Sequence, residues 1–364
     1  MNRYGSVHCI GISHRTAPAE LRERLAFTPE SVPGALRDAR RDAGIERMVI
    51  VSTCHRTELY AEFGQGILQA QGFEANRLCQ WMAEWSGVGA DVIFGHARVW
   101  QGESAARHLF RLSAGLESPV TGEAQITGQI ARALRHSVGA HAASPTLKRL
   151  FKEAVRTGER ARSTVWSGQR AANIGTAAAA AAALHFEKKG RLFRDASISI
   201  VGAGELGELA LAAVTSAGVR KVTMVNRTPE RANHLAARLG AMTRSFDELD
   251  RCLAESDAAI FAMSGTRVLV GIDLLSRVMA ARNGAALTLV DVALPRNVEP
   301  GIRDHPQVTL LDIDDVGRLG QGLYSERASA TESVEAIVEE SMAALGAAAP
   351  ILPAGSQASA AVLQ

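Results

Sequence analysis

The chain has 364 residues, of which 47% are hydrophobic and 21% are charged, and its formal net charge is +2. This length allows two or three domains, and the composition is that of a soluble globular protein. The sequence contains no run of about 18 uncharged apolar residues that would span a bilayer, and it opens without a signal peptide. The four cysteines show no CxxC pairing, so we expect reduced thiols, a cytoplasmic protein without membrane contact, and no metal site.

The first part of the chain alternates between strand and helix patterns. Apolar or alternating runs predict strands at residues 7–13, 47–52 and 57–63. Helical patterns are present at residues 20–27, 32–43 and 72–86. This order predicts a βαββα-like, α+β domain in which helices cover a small sheet.

Cys54 lies in the polar segment 52–58, which joins two predicted antiparallel strands. A thiol at a polar hairpin is unlike a core thiol, and the neighbouring His55 and Arg56 would favour the nucleophilic thiolate. A purely structural cysteine is the alternative. The other three cysteines belong to apolar segments, and we expect them in the core: Cys9, Cys79 and Cys252.

Residues 104–162 are mainly helical, with breaks near residues 115–122 and at Ser144 and Pro145. The polar cluster 115–129 offers small hydrogen-bonding groups suited to a ligand with an amino and a carboxyl group; an ordinary loop and helix N-terminus is the alternative. Residues 132–170 carry nine basic and two acidic side chains, so this stretch either faces a polyanion or forms a solvated helix face.

Residues 167–176 are polar and contain glycine, and we interpret them as a candidate hinge. An alanine-rich helix follows, to about residue 188, and then a Rossmann unit from roughly residue 197 to 312. Further strands of that unit are predicted near residues 258–262, 287–291 and 308–311.

The glycine motif at the start of this unit predicts a dinucleotide site. It follows the apolar run 197–201 and opens the Ala/Leu-rich stretch 205–217, giving strand, tight turn and helix. The helix N-terminus offers unpaired N–H groups to a pyrophosphate. A tight turn that binds nothing is the alternative. The motif residues are Gly202, Ala203, Gly204, Glu205, Leu206 and Gly207.

The next predicted strand, residues 221–225, ends in Asn226, Arg227 and Thr228 and carries no carboxylate for an NAD ribose. Arg227 can hold a 2′-phosphate, with its two neighbours as hydrogen-bond partners. The sequence therefore favours NADPH as cofactor, with a surface arginine as the alternative.

The final predicted element is an amphipathic helix over residues 326–345. Its apolar positions suit packing against another element or against a second subunit, and the tail from Gly346 onward is expected to be loose. The apolar positions at helical spacing are Val334, Ile337, Val338 and Met342.

Taken together, these segments resemble the glutamyl-tRNA reductase family, from residue 11 to residue 315. So many motifs in the family's order argue against chance similarity. They comprise residues 11–18, 52–60, 108–111, 115–129, 202–208, 225–228 and 291–296.

The resemblance implies that Cys54 attacks the ester joining glutamate to its tRNA and forms an enzyme thioester. NADPH then reduces this thioester to glutamate-1-semialdehyde. The resemblance also implies that His108 is the histidine on which activity in the family depends. Its role would be that of a proton donor or acceptor near the reacting ester. We further hypothesise, from the charges of the two side chains, that Arg56 binds the side-chain carboxylate of the substrate and Glu123 its ammonium group. The implied substrate-binding residues are Thr53, Cys54, His55, Arg56, Ser118, Glu123, Ala124, Gln125 and Gln129.

The sequence departs from the family pattern, which has Asn at the position of His55, Asp at Glu117 and Pro at Ala124. His55 would change how the pocket reads the amino acid or act as an extra base that lowers the pKa of Cys54; a tolerated polar replacement is the alternative. The part after Asp315 is also shorter than the family's terminal helical domain.

We therefore predict a multidomain protein that combines α/β and α+β parts. Residues 1–165 form a catalytic, substrate-binding domain, residues 166–312 a Rossmann NADPH-binding domain, and residues 313–364 a shortened helical dimerisation segment. The predicted partners are an aminoacyl-tRNA, a second copy of the chain and an aldehyde-consuming enzyme downstream. Two alternatives stay open: a paralogue that reduces another aminoacyl-tRNA, and a non-catalytic tRNA-binding homologue.

Overall fold

Two separate β-sheets organise the chain in a computed structural model, which describes residues 6–63, 73–123, 125–168, 173–263, 268–323 and 328–347. The first sheet is antiparallel, with the order β2-β3-β1-β4. Its strands are β1 (Val7–Ser13), β2 (Met48–Thr53), β3 (Arg56–Glu62) and β4 (Arg98–Gln101).

Helices accompany this sheet at the positions that the sequence pattern predicts, except for the short helix at residues 90–96, which the sequence analysis missed. Apolar side chains on one face of each helix are buried, as the helical spacing requires. These helices are α1 (Ala19–Arg24), α2 (Val32–Asp42), α3 (Phe73–Ser86), α4 (Ala90–His96), α5 (Glu103–Ser113), α6 (Gln125–Gly139) and α7 (Pro145–Thr164).

The second sheet is entirely parallel, with the order β10-β9-β8-β5-β6-β7 of a Rossmann fold. Its strands are β5 (Ser197–Val201), β6 (Lys221–Asn226), β7 (Met242–Ser245), β8 (Ala258–Phe261), β9 (Leu287–Asp291) and β10 (Val308–Leu311). The helices around it are α8 (Ile174–Lys188), α9 (Glu205–Ser216), α10 (Pro229–Leu239), α11 (Leu249–Glu255), α12 (Ile272–Ala281) and α13 (Ile313–Leu323).

The mixed α/β and α+β fold class is confirmed, but the sequence analysis missed β4 and β7. Both are four-residue strands at the edge of a sheet, and most of their side chains are exposed. They therefore lack the apolar runs by which the buried strands were recognised. In the predicted hinge, residues 169–172 lie outside the described residues, and Asn173 caps α8 in a reciprocal capping box with Thr176.

The two halves of the chain meet through small residues and ion pairs. Gly317 and Gly320 of α13 lie beside Pro119 and Val120, and a Cβ at either glycine would stand 3.3 and 3.2 Å from those side chains. Arg296, in the loop after β9, donates to Glu23 of α1 at 2.8 Å. Charge pairing at this junction fixes the position of α1 against the Rossmann sheet.

The last helix, α14 (Ala328–Ala347), packs on its own chain. Its apolar face is buried in the same core as residues of α5 and α7, and three ion pairs tie it to those helices. The sequence left two possible partners for this face, another element or a second subunit, and the structure shows it packed against elements of the same chain. The ion pairs are Arg107–Glu339, Arg111–Glu335 and Arg160–Glu340.

Replacing Ile337, which is buried in that core, by alanine should lower the free energy of unfolding by about 2–5 kcal/mol. The substitution leaves a cavity between α14 and the helices beneath it. Urea unfolding measures the loss, and the exposed Glu332→Ala on the same helix serves as control, with a change within about 0.5 kcal/mol. An equal effect of both substitutions would mean that α14 is not packed on the chain.

Candidate active site

Cys54 and His55 form a two-residue turn between β2 and β3, whose last paired residues are Thr53 and Arg56. The turn carries the thiol out of the sheet and leaves it half-buried. Arg22 of α1 donates to the Cys54 carbonyl at 2.7 Å and also pairs with Asp314 of α13. The hairpin is therefore held at the junction of the two halves.

A cavity of about 210 Å³ joins this hairpin to the glycine turn of the Rossmann sheet. It brings together the predicted substrate residues on the first half of the chain, apart from Ala124, which lies outside the described residues. Met263 and Val292 complete the wall on the Rossmann side. The predicted residues that line it are Thr53, Cys54, His55, Arg56, Ser118, Glu123, Gln125, Gln129, Gly204, Glu205 and Leu206.

The environment of the Cys54 sulfur differs from our expectation. Burial in the cavity wall, together with the Glu123 carboxylate, raises the pKa of the thiol to about 12. Arg22 and Arg56 act in the opposite direction but are outweighed. Neighbours in sequence therefore do not produce a thiolate in the protein alone, because loss of water around the sulfur is the larger effect.

Glu123 faces the same cavity and is itself perturbed. Burial raises the pKa of its carboxyl group to about 7, although the backbone N–H of Ile174 and the charge of Arg56 oppose this shift. A carboxyl group of this kind exists in both protonation states near neutral pH. An ammonium group placed beside it would stabilise the carboxylate and neutralise its effect on the sulfur.

Arg56 belongs to a buried cluster centred on Glu58, a residue that our sequence analysis missed. Glu58 accepts hydrogen bonds from Arg56 at 2.8 Å and from Tyr60 at 2.7 Å, and its Oε1 lies 3.0 Å from His108 Nε2. Burial opposes its ionisation, but His108 and Arg56 outweigh burial and hold the pKa of Glu58 well below its usual range. Glu58 lies on the face of β3 that carries Arg56 and Tyr60, opposite the apolar Leu59 and Ala61, so the alternation gave no signal for it.

His108 does not line the cavity that contains Cys54, so its predicted role as proton donor beside the ester is not supported by this arrangement. Its ring stacks on Trp100 with the centroids 3.8 Å apart, and it lines a separate small cavity of about 20 Å³. The link to the thiol runs through Glu58 and Arg56, which lines both cavities. In this geometry, His108 holds Glu58, and Glu58 holds Arg56.

The position of His55 differs from that expected of a base that lowers the pKa of Cys54. Its imidazole is buried and packs edge-on against His14, with the ring centroids 5.7 Å apart. Burial, together with His14 and the nearby arginines, lowers the pKa of His55 well below its usual value. His55 is not among the groups that shift the pKa of Cys54, so the arrangement gives no support to its role as an extra base.

Contacts within the glycine turn fit a dinucleotide. Gly202 has a φ of +113°, and a Cβ there would lie 2.8 Å from the Ala262 carbonyl oxygen. A Cβ at Gly207 would collide with the Gly202 carbonyl, whereas Gly204 has open space toward the cavity. Two glycines thus allow the turn and the third leaves room for phosphate at the N-terminus of α9.

The end of β6 supports the same site. Asn226 Oδ1 accepts from the backbone N–H of Ala203 at 3.1 Å, and its Nδ2 donates to the Thr228 carbonyl at 2.9 Å. Arg227 is exposed, and its guanidinium lies 5.3 Å from the centroid of the Phe246 ring. Arg227 is therefore available to an anionic group beyond the strand end.

Within the described ranges, no helix is long and apolar enough to cross a membrane. The same residues contain no cluster of three or more His, Cys, Asp or Glu side chains that could hold a metal ion. The three remaining cysteines, Cys9, Cys79 and Cys252, are buried, as predicted.

This fold and cavity define an oxidoreductase in which a Rossmann domain of the dinucleotide-binding type faces a thiol on a separate sheet. Comparison with known proteins identifies the family more closely. Residues 10–165 match the model for the N-terminal domain of glutamyl-tRNA(Glu) reductase. Residues 185–319 match the model for shikimate/quinate 5-dehydrogenase.

Individual relatives agree with these matches. Glutamyl-tRNA reductase of Pelotomaculum thermopropionicum is 35% identical over 92% of this chain and 73% of the relative, and that of Bacillus subtilis is 32% identical over 92% and 71%. The solved structure of glutamyl-tRNA reductase from Methanopyrus kandleri covers 94% of this chain and 80% of that chain, with 29% identity and a TM-score of 0.50. The chain belongs to the glutamyl-tRNA reductase family.

Alkylation of Cys54 by iodoacetamide should keep accelerating above pH 9, because a thiol with a pKa near 12 forms more thiolate with each added pH unit. Glu123→Gln removes the carboxylate that raises this pKa, so its Cys54 should react faster than the wild-type residue at pH 8. Peptide mass spectrometry resolves Cys54 from the buried thiols, and Glu230→Gln on exposed α10 is the control. A wild-type rate that levels off below pH 8.5 would contradict this account.

Proposed function

We propose that this protein reduces the glutamate of glutamyl-tRNA to glutamate-1-semialdehyde, through a thioester on Cys54 and with NADPH as reductant. The observation that carries the proposal is the single cavity lined by Cys54, by the predicted glutamate-binding residues and by the glycine turn. Family membership supports the same reaction. We assign substrate binding to residues 1–165, cofactor binding to residues 166–312 and a helical segment to residues 313–364.

In this mechanism the Cys54 sulfur attacks the ester carbonyl carbon, and the bond from that carbon to the ribose oxygen breaks. The thiol proton ends on the departing ribose hydroxyl, and the acyl group stays on sulfur. NADPH held by the glycine turn and by Arg227 would supply the hydride that reduces the thioester. The bond from the acyl carbon to the Cys54 sulfur then breaks, the aldehyde is released, and the sulfur takes up a proton. Holding the acyl group covalently prevents its loss between the two steps.

Substrate binding itself activates the thiol in this scheme. Glu123 binds the ammonium group of the glutamyl moiety, and the pair neutralises a carboxylate that raises the pKa of Cys54. Burial, the largest influence, still raises the pKa of Cys54, while Arg22 and Arg56 lower it. Pairing of Glu123 with the ammonium group therefore lowers the pKa of the thiol only in part and makes a larger fraction of it available as thiolate.

Arg56 binds the side-chain carboxylate of the substrate. Two of its five N–H donors are engaged by Glu58 and by the Glu117 carbonyl, and the side chain also lines the cavity that contains the thiol. His108 acts as a positioning residue, because it contacts Glu58 rather than the cavity with the thiol. A second subunit and a downstream aldehyde-consuming enzyme are further proposed partners; the dimer would use a surface other than the buried face of α14.

Replacing Cys54 by serine should abolish formation of semialdehyde from glutamyl-tRNA, because a serine hydroxyl is a much weaker nucleophile and its ester resists hydride. NADPH binding, measured by fluorescence titration, should be unchanged because the cofactor residues are intact. Cys252→Ser, in the Rossmann core, is the matched control. Normal turnover by the Cys54 variant would exclude the thioester mechanism.

Because His55 departs from the family pattern, the amino acid carried by the tRNA needs its own test. Assaying the wild-type protein with a panel of aminoacyl-tRNAs separates glutamyl-tRNA from other substrates. Reduction of a different charged tRNA alone would favour the paralogue, and activity with none would favour a tRNA-binding homologue.

Replacing Arg227 by alanine should weaken NADPH binding roughly 10–100-fold while leaving NADH binding nearly unchanged, since a charged hydrogen bond to the 2′-phosphate is lost. Dissociation constants for both nucleotides provide the measurement. Arg231→Ala, exposed on α10, controls for loss of surface charge. A parallel loss with both nucleotides would show that Arg227 does not read the phosphate.

A further inference from the structure

A second cavity, of about 300 Å³, shares His55 with the catalytic cavity. Its wall comes from the loop between β1 and α1, from Pro119 and from α13, so it also lies where the two halves meet. We call it the His14 cavity, after the residue beside His55. No role described above uses it.

Two imidazoles in this cavity have unused hydrogen-bonding capacity. His55 is 4% exposed, and neither of its ring nitrogens has a hydrogen-bond partner among the described residues. The ring nitrogens of His14 make no hydrogen bond of normal geometry either, although the His55 carbonyl acts against the fall in its pKa. Buried polar atoms without partners are costly, so such a pair indicates a polar ligand.

The state of the two rings narrows the chemistry of that ligand. Burial, with Arg56, Arg15 and Arg22, lowers the pKa of His14 to about 3, and the pKa of His55 is also well below its usual value. Both rings are neutral at physiological pH, and each then offers one donor and one acceptor. A ligand with both donors and acceptors, such as a base or a ribose, matches this better than a simple anion.

The proposed reaction requires such a group beside Cys54. The leaving group is the ribose hydroxyl of the last nucleoside of the tRNA, so that nucleoside must lie next to the sulfur. The catalytic cavity, at about 210 Å³, is smaller than the roughly 300–1,000 Å³ of sites that take a whole drug-sized ligand. It already serves the aminoacyl group and the glycine turn, which leaves the adjoining cavity for the nucleoside.

The rim of the His14 cavity fits a single-stranded RNA end. Arg15 and Arg318 line it and are 46% and 69% exposed at their side chains, and Pro18 and Pro119 add apolar surface. Their guanidinium groups pair with Glu117 and Asp315, whose side chains are only 12% and 18% exposed, and the exposed side of each arginine is accessible to a phosphate. Single-stranded RNA is bound by such a combination of positive charge and surfaces for bases.

We propose that the His14 cavity binds the 3′-terminal nucleoside of the charged tRNA, with His14 and His55 hydrogen-bonded to its base or ribose. The proposal rests on the proposed function. It makes His55 a wall between the aminoacyl subsite and the nucleoside subsite, and it assigns His14 to recognition of the leaving group. Arg15 and Arg318 contact the preceding phosphates.

Two substrates with the same acyl group test this assignment. One is the 3′-glutamyl ester of adenosine, and the other is the trifluoroethyl ester of glutamate, which carries no nucleoside. His14→Leu should lower kcat/KM for the adenosine ester roughly 10–100-fold and change that for the trifluoroethyl ester less than twofold. His14→Gln, which keeps a donor and an acceptor, should lose less, and His234→Leu on exposed α10 should change neither. Equal losses with both esters, or no loss with the adenosine ester, would overturn the proposal.

Binding of a fluorescein-labelled CCA trinucleotide, followed by polarisation, tests the cavity without turnover. The wild-type protein should bind it, and His14→Leu should weaken binding at least tenfold, while circular dichroism verifies that the variant is folded. If the wild-type protein reduces neither ester but binds CCA in a His14-dependent manner, the proposed reductase reaction is wrong, whereas the proposed nucleoside subsite is supported. If CCA binds equally well to both proteins, or to neither, the subsite is wrong.

Discussion

The candidate site depends on close packing between the loop around Val120 and the helix α13. Gly317 and Gly320 allow Pro119 and Val120 to approach that helix, and Arg22 ties the Cys54 carbonyl to Asp314 on it. These contacts bring a hairpin from an antiparallel sheet to the carboxyl edge of a parallel one. Without them the thiol and the glycine turn would line separate surfaces, and no cavity would contain both.

Within that cavity, the thiol is held in its unreactive form. Burial and Glu123 raise the pKa of Cys54, so the resting protein protects the sulfur from other electrophiles. An ammonium group beside Glu123 removes part of this effect. In the proposed mechanism, Glu123 therefore has two roles: it binds the ammonium group of the substrate, and it modulates the pKa of Cys54.

Much of the fold could be predicted from the sequence because buried elements have clear patterns. The strands β1 and β9 and the glycine turn were located by their apolar runs and glycine spacing. The family resemblance, rather than any pattern, put Ser118 in one pocket with Cys54, and both residues line the same cavity. The edge strands β4 and β7 were missed because exposed strands carry no apolar run. The sequence pattern also could not predict which elements pack against α14, because an apolar helix face does not specify what covers it.

Errors at the site have a common physical origin. The orientation of His55, the distance of His108 from the thiol and the sign of the Cys54 shift all depend on burial and on contacts distant in sequence. Glu58, four residues after Cys54, organises Arg56 and His108, yet a glutamate in a strand gives no indication of its partners. His55 is next to Cys54 in sequence but is not among the groups that shift its pKa, whereas Glu123, which is distant in sequence, raises that pKa.

The central claim is that Cys54 carries the acyl group before reduction. Mass spectrometry of the protein mixed with glutamyl-tRNA, quenched in acid and digested, tests it when NADPH is omitted so that the adduct accumulates. The account predicts a glutamyl adduct on the peptide that contains Cys54, removed by hydroxylamine and consumed when NADPH is added before quenching. Semialdehyde formation by the complete system, with no adduct on that peptide under any quench, would contradict it.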